Sequence, residues 1–187
     1  MRRRARRERP RACLALRCGD DRGHRAALGR GHAHDGAPRG DRVKKRKTQP
    51  WMTAADYGRT LGGLSVNLIV RDVARSLPFY TGVLGLSALY SDGDFAALEG
   101  HGVRLQLHAD HTYERMPWAE RLQGLGKRGF GAEIRILGIE PDAAERRARE
   151  AGYTVLVATR DWPHGWRDCV LEDPDGYTFA VGTPLPA

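Results

Sequence analysis

Cysteine is scarce. The chain of 187 residues holds Cys13, Cys18 and Cys169, too few for a disulfide framework. Cys169 sits in an apolar strand pattern and reads as a small buried hydrophobe, so a reducing, cytoplasmic setting is expected. Long hydrophobic runs are missing as well. Nothing approaches the length of a membrane span, so no membrane partner is expected through one. The stretch RACLALRCG has too short an apolar core for a secretory signal. The third shortage concerns charge. The chain carries a formal +8, which looks like a nucleic-acid binder until the charge is located. Residues 1–51 hold 17 basic against 5 acidic side chains, leaving 14 against 18 for the rest. The body lacks any positive excess.

What is present divides accordingly. Residues 1–51 are rich in Arg, Gly, Ala, His and Pro without a sustained apolar period, the composition of a disordered tail. Their RRRARR and KKRK runs suit nucleic acid or an anionic surface. The competing reading is a start assigned too early, with synthesis beginning at Met52 and residues 52–62 leading into the domain. Nucleic acid is then not an expected partner.

From Gly63 a regular order begins. SVNLIV (65–70) has the alternation of a strand, and Asp72 is placed to cap a helix in which Val73, Leu77, Tyr80 and Leu84 recur at helical spacing. Pro78 interrupts that helix and should kink it or confine its first segment to one turn. Strands are expected at 86–91, 94–100 and 103–109. The order then recurs: strand 132–138, helix 141–152 with proline near its start and arginines late, and strands 153–158, 168–173 and 177–182. Residues 110–129 connect the two sets, with a short helix expected at PWAERLQ. The sequence therefore predicts an α+β fold of two βαβββ modules, 63–109 and 130–184, inside one domain of 63–187.

Four strands present an apolar face and a mostly polar one. Ser65 and Asn67 oppose Val66, Leu68 and Val70. Arg104, Gln106 and His108 oppose Leu105 and Leu107, Glu133 and Arg135 oppose Ile134 and Ile136, and Thr178 and Ala180 oppose Phe179 and Val181. Alternation alone leaves two readings open: a face turned to water, or the lining of a ligand cup.

VNLIVRDVARSLPFYTGVLGL, followed about a hundred residues later by DPDGYTFAV, resembles the vicinal oxygen chelate superfamily, which includes glyoxalase I, bleomycin-resistance proteins and extradiol dioxygenases. The resemblance covers about residues 63–184. It implies that paired modules curl into a cup-shaped mixed sheet with the polar faces inward, and that two copies form a homodimer. It also places metal ligands at the positions of Ser65, Gln106, Glu133 and Ala180. A catalytic metal needs about three protein ligands with one open position. Only Glu133 is a good ligand here and Gln106 a weak one, so no cofactor is expected; if a divalent metal binds, Gln106 and Glu133 hold it.

Two histidines and a loop complete the candidates. His108 shares the face of Gln106, and His111 follows in HADH; both read as edge-of-sheet histidines or as added nitrogen ligands. Glu133 is the candidate catalytic base, with Arg135 beside it as a carboxylate clamp or a mere ion-pair partner. The loop 161–169 concentrates Trp162, His164 and Trp166 where family loops cover the cup mouth. Its rings would stack on a ligand or seal a module interface. Asn67, Gln106, His108, Arg135 and Trp166 are the candidate ligand-binding residues. Three functions compete: metal-free binding of a small molecule in the cup, a glyoxalase- or dioxygenase-type enzyme with an altered metal site, and nucleic-acid association through the tail.

Overall fold

The structure is a computed structural model that describes residues 47–186. The basic tail with Cys13 and Cys18, apart from its last five residues, lies outside the described residues. Among the described residues, eight strands form two four-stranded sheets. In the first, β1 (Val66–Val70), β2 (Ser87–Ser91), β3 (Phe95–Gly100) and β4 (Val103–Ala109) lie in the order β1-β4-β3-β2. In the second, β5 (Glu133–Leu137), β6 (Thr154–Trp162), β7 (Trp166–Glu172) and β8 (Thr178–Pro184) lie in the order β5-β8-β7-β6. Each sheet has one parallel pair, β1 with β4 and β5 with β8, and antiparallel neighbours elsewhere. The two βαβββ modules expected from the repeat are therefore present. No helix among the described residues is long and apolar enough to cross a membrane.

Helix α2 (Val73–Pro78) starts where the Asp72 side chain accepts from the Arg75 N–H, at 3.0 Å. Pro78 lacks the N–H that would continue the α-helical ladder. It does not break the helix; the chain widens into a π-helical turn over Phe79–Val83, closed by Leu84 N–H donating to the Phe79 carbonyl. The wider turn leaves Phe79, Tyr80, Val83 and Leu84 all buried. Helix α3 (Pro141–Glu150) opens on proline and ends with Arg147 and Arg149 in its last turn. Arg147 reaches across to the first module, donating to the Val83 carbonyl.

The apolar strand faces and the two helices share one core. Leu68, Val70, Leu105 and Leu107 of the first sheet belong to the same buried cluster as Ile136, Leu171, Phe179 and Val181 of the second. Phe179 lies 5.6 Å from both Phe79 and Tyr80, ring centre to ring centre. Cys169 is buried as expected, its thiol facing the Pro141 carbonyl and pushed up to about 11 by burial.

The DPDG turn between β7 and β8 joins the modules. Asp173 accepts from the Asp175 and Tyr177 N–H groups, which folds the turn, and from the Tyr80 hydroxyl at 2.7 Å, which ties it to the first module. Asp175 accepts from Arg71 and from the Ser76 hydroxyl. Gly176 has φ +88°, and a Cβ there would stand 2.6–2.8 Å from Lys127, so the position requires glycine on both counts. Burial pushes the Asp173 carboxyl and the Tyr80 hydroxyl up from their ordinary values.

One expectation is corrected. Residues 161–169 are not an open loop: β6 runs through Trp162 and β7 begins at Trp166, so a tight hairpin with Gly165 at φ +86° replaces it. Within the leader 52–62, Ala54–Thr60 form a helix, α1. In the connector 110–129 the short helix is a 3-10 turn at Ala119–Leu122, and a second such turn spans Asp110–Tyr113.

Candidate functional site: a ring-lined cavity over the first sheet

The polar side chains of the first sheet lie on the side away from the core. Strand register sets Asn67 beside Gln106 and Ile69 beside His108 on β1 and β4, with Phe95 of β3 next to His108. Over this face runs the segment from Pro50 to Leu61, and the two together enclose a cavity of about 500 Å³. The size is in the range of small-molecule sites. Its far wall comes from His111, Thr112, Tyr113 and Met116, just after β4.

Helix α1 explains how the leader is held there. Thr53 caps it, accepting from the Asp56 N–H at 3.1 Å, and the Thr53 hydroxyl donates back to the Asp56 carboxylate. The helix has no buried residue; rings fasten it instead. Trp51 stacks on Tyr90 at 6.0 Å and 8°, and Tyr57 meets Phe95 edge-on at 5.3 Å. Arg104 donates to the Thr60 carbonyl at the helix end.

Gln106, His108, Asp94 and His111 are among the polar residues that line the cavity. Gln106 is buried and its amide donates to the Ser65 hydroxyl at 2.7 Å. His108 is held between Phe95, at 4.7 Å, and Tyr113, at 5.4 Å. Burial among these rings lowers its pKa from the ordinary 6.5, so the neutral imidazole is favoured. Asn67 is exposed and does not line the cavity, but its amide donates to the Tyr113 hydroxyl and positions that ring. His111 Nε2 lies 2.8 Å from the buried Asp94 carboxylate, with both side chains about one-tenth exposed. With the carboxylate accepting, Nε2 carries the proton.

The depressed pKa has a sign that can be checked. A histidine whose folded pKa is lowered contributes stability that is present above the unfolded value near 6.5 and lost as pH falls through the folded one. Between those limits the slope for one proton approaches about 1.4 kcal/mol per pH unit. Denaturant titrations of wild type and His108→Gln from pH 7.5 downward are expected to diverge below pH 6.5, the variant losing less. Parallel curves would show that His108 ionises as freely folded as unfolded.

The remaining candidates lie on the second sheet and do not line the cavity. Glu133 and Arg135 are exposed on β5 and 3.3 Å apart. Arg135 also pairs with the buried Asp168 at 2.8 Å. Trp166 opens β7, half-buried, and Trp162 donates its indole N–H to Asp168 while Arg160 lies 3.6 Å over its ring. Arg135 thus belongs to an ion-pair and aromatic cluster on the second sheet, whereas Gln106 and His108 belong to the cavity. The positions expected to hold a metal are divided likewise. Ser65 and Gln106 hydrogen-bond to each other, Glu133 is on the other sheet, and Ala180 is a buried methyl aligned with Arg135. This donor set does not fit a divalent ion. Among the described residues no three His, Cys, Asp or Glu side chains converge into a metal-binding group.

Sequence reasoning missed the Asp94–His111 pair and the wall built by Trp51 and Tyr57. The only local signal was Thr-Ala-Ala-Asp at 53–56, a short capping pattern. The pairing of residues 94 and 111 depends on β3 and β4 folding back as a hairpin.

Comparison with known proteins agrees with the fold. The model of the Glyoxalase/Bleomycin resistance protein/Dioxygenase superfamily matches residues 64–181. A Mycobacterium bovis protein called uncharacterized is 30% identical over 128 residues, covering 65% of this chain and 83% of its own length. A Mycobacterium tuberculosis counterpart is also 30% identical over 128 residues, with 65% and 74% covered. Among solved structures, a glyoxalase/bleomycin resistance protein/dioxygenase family enzyme from Burkholderia phytofirmans has a TM-score of 0.54 at 23% identity, covering 65% of this chain and 97% of that one. A glyoxalase-related enzyme from Fulvimarina pelagi has a TM-score of 0.53 at 16% identity, covering 65% and 87%. At such identities the two structures speak for the fold alone. The family model spans well over half of the sequence, on the paired modules already described, and the chain belongs to the glyoxalase/bleomycin resistance protein/dioxygenase superfamily.

Proposed function

We propose that the chain binds a small organic molecule in the cavity over its first sheet, without a metal ion at the family's usual ligand positions. The observation that carries this reading is the cavity itself: about 500 Å³, lined by aromatic rings together with the hydrogen-bonding side chains of Asp92, Asp94, Gln106, His108 and His111. That combination is the usual make-up of a small-molecule site, in which apolar walls supply affinity and a few polar groups supply orientation. The donor set at Ser65, Gln106, Glu133 and Ala180 supports the metal-free part, since it offers one carboxylate, and that on the other sheet.

The neutral fluorescent probe N-phenyl-1-naphthylamine tests the first part, because its emission rises on entering an apolar site. Binding is expected for wild type and should weaken about tenfold or more in Gly58→Trp, a loss of about 1.4 kcal/mol. Gly58 lines the cavity and has open space where a side chain would start. Elemental analysis of the purified protein tests the second part. No emission change with wild type would refute cavity binding, and a stoichiometric divalent ion lost in Glu133→Ala would refute the metal-free form.

A further inference from the structure

We propose that the cavity selects organic cations: a compact ligand with an apolar or aromatic body and a permanently charged or protonated amine. This rests on the cavity being a binding site and adds the class of molecule it takes.

Charge supplies the first support. Among the described residues lining the cavity there is no lysine or arginine, while Asp92 and Asp94 both line it. His108 is kept neutral by its burial. His111 bonds Asp94, so even when protonated it offsets only that one carboxylate. Asp92 therefore keeps the described lining negative in either state of His111, and no described lysine or arginine lines the cavity to pair with an anionic ligand. Arg104 of β4 lines a neighbouring groove, where it donates to the Thr60 carbonyl and pairs with Glu99.

The rings supply the second. Tyr57 meets Phe95 at 69°, Phe95 meets His108 at 62°, and His108 meets Tyr113 at 82°. These contacts hold Tyr57, Phe95 and Tyr113 in place among the lining residues, with Trp51 and Tyr90 beside them. An aromatic-rich lining attracts quaternary ammonium groups wherever a ring face meets the cation. Asp92 adds to this without being free to swing away. Its carboxylate accepts from the Tyr90 hydroxyl and from the N–H groups of Asp94 and Phe95, which holds it in place in the cavity lining. The Tyr90 ring that it anchors also carries Trp51.

The experiment is displacement of N-phenyl-1-naphthylamine from the full chain by three probes of similar shape: benzyltrimethylammonium, its neutral isostere neopentylbenzene, and benzoate. The cation is expected to displace the dye at a concentration about tenfold or more below the neutral isostere, and benzoate to be the weakest. In Asp94→Asn, and separately in Tyr57→Leu, the ratio of cation to neutral affinity should fall at least about threefold. The second variant guards against misfolding of the first, because α1 contributes no buried residue. Dye that binds but is displaced equally by cation and neutral isostere would overturn the cation inference and leave the binding reading standing. Dye that does not bind at all would overturn both. A cation preference unchanged in both variants would overturn the assignment to this cavity.

Discussion

Asp175→Ala is expected to lower unfolding free energy by about 3–5 kcal/mol, the cost of breaking a buried ionic cluster from one side. The Asp175 side chain is fully buried. Its Oδ1 accepts from the Arg71 backbone N–H and guanidinium, at 3.2 and 2.7 Å, and its Oδ2 accepts from the Ser76 hydroxyl at 3.0 Å. Arg128, 3% exposed, holds its Nε 3.7 Å away. Alanine would strand all of these donors and leave Arg128 with Asp110 as its carboxylate partner. Arg71 is one-third exposed and can be rehydrated, which places the effect toward the lower end. Asp175→Asn keeps the shape and one acceptor, and should fall between wild type and alanine. Guanidinium unfolding followed by far-ultraviolet dichroism checks both; a loss below about 1 kcal/mol for alanine would mean that the cluster contributes little beyond its own desolvation cost.

Phe179→Ala is expected to cost a similar amount, about 3–5 kcal/mol, for a different reason. The ring is fully buried and touches Phe79 and Tyr80 from the other module, so its removal opens a cavity between the two halves. Partial collapse of that cavity sets where in the range the value falls. Because one buried cluster spans both modules, the variant should still unfold in a single transition, shifted but not split. Coincident fluorescence and dichroism curves would confirm this. Two separated transitions would show the modules to be independent folding units joined only at their surface. Against a typical total of about 5–15 kcal/mol, either substitution removes a large share of the stability.

Much of this architecture was legible. Strict alternation in VNLIV and EIRIL marked which face of each strand is buried, and the burial of Leu68, Val70 and Ile136 follows it. DPDG marked a turn, and helix α3 announced both its ends. Pro78 pointed to an irregularity, though not to its form: a widened turn keeps four large side chains in the core where a kink would have moved them. The concentration of Trp162, His164 and Trp166 at 161–169 suggests a ligand-covering loop, yet the segment forms a hairpin at 162–166. Pairing with β8 extends the ladder through Trp166, a long-range decision that no local pattern encodes.

The candidate site was legible only in part, and the division has a physical cause. A strand's period of two says that Asn67, Gln106 and His108 share a side of one sheet and that Glu133 and Arg135 share a side of another. It is silent on what covers either side. By itself the sequence determined the paired modules, the core faces and the turn between β7 and β8, since each depends on residue type or on neighbours close in the chain. Only the tertiary structure decided that a helix from residues 54–60 lies over the first sheet, that Asp94 reaches His111, and that Gln106 and Glu133 belong to different surroundings. Those contacts join segments tens of residues apart, and their energy comes from rings and charges meeting in space.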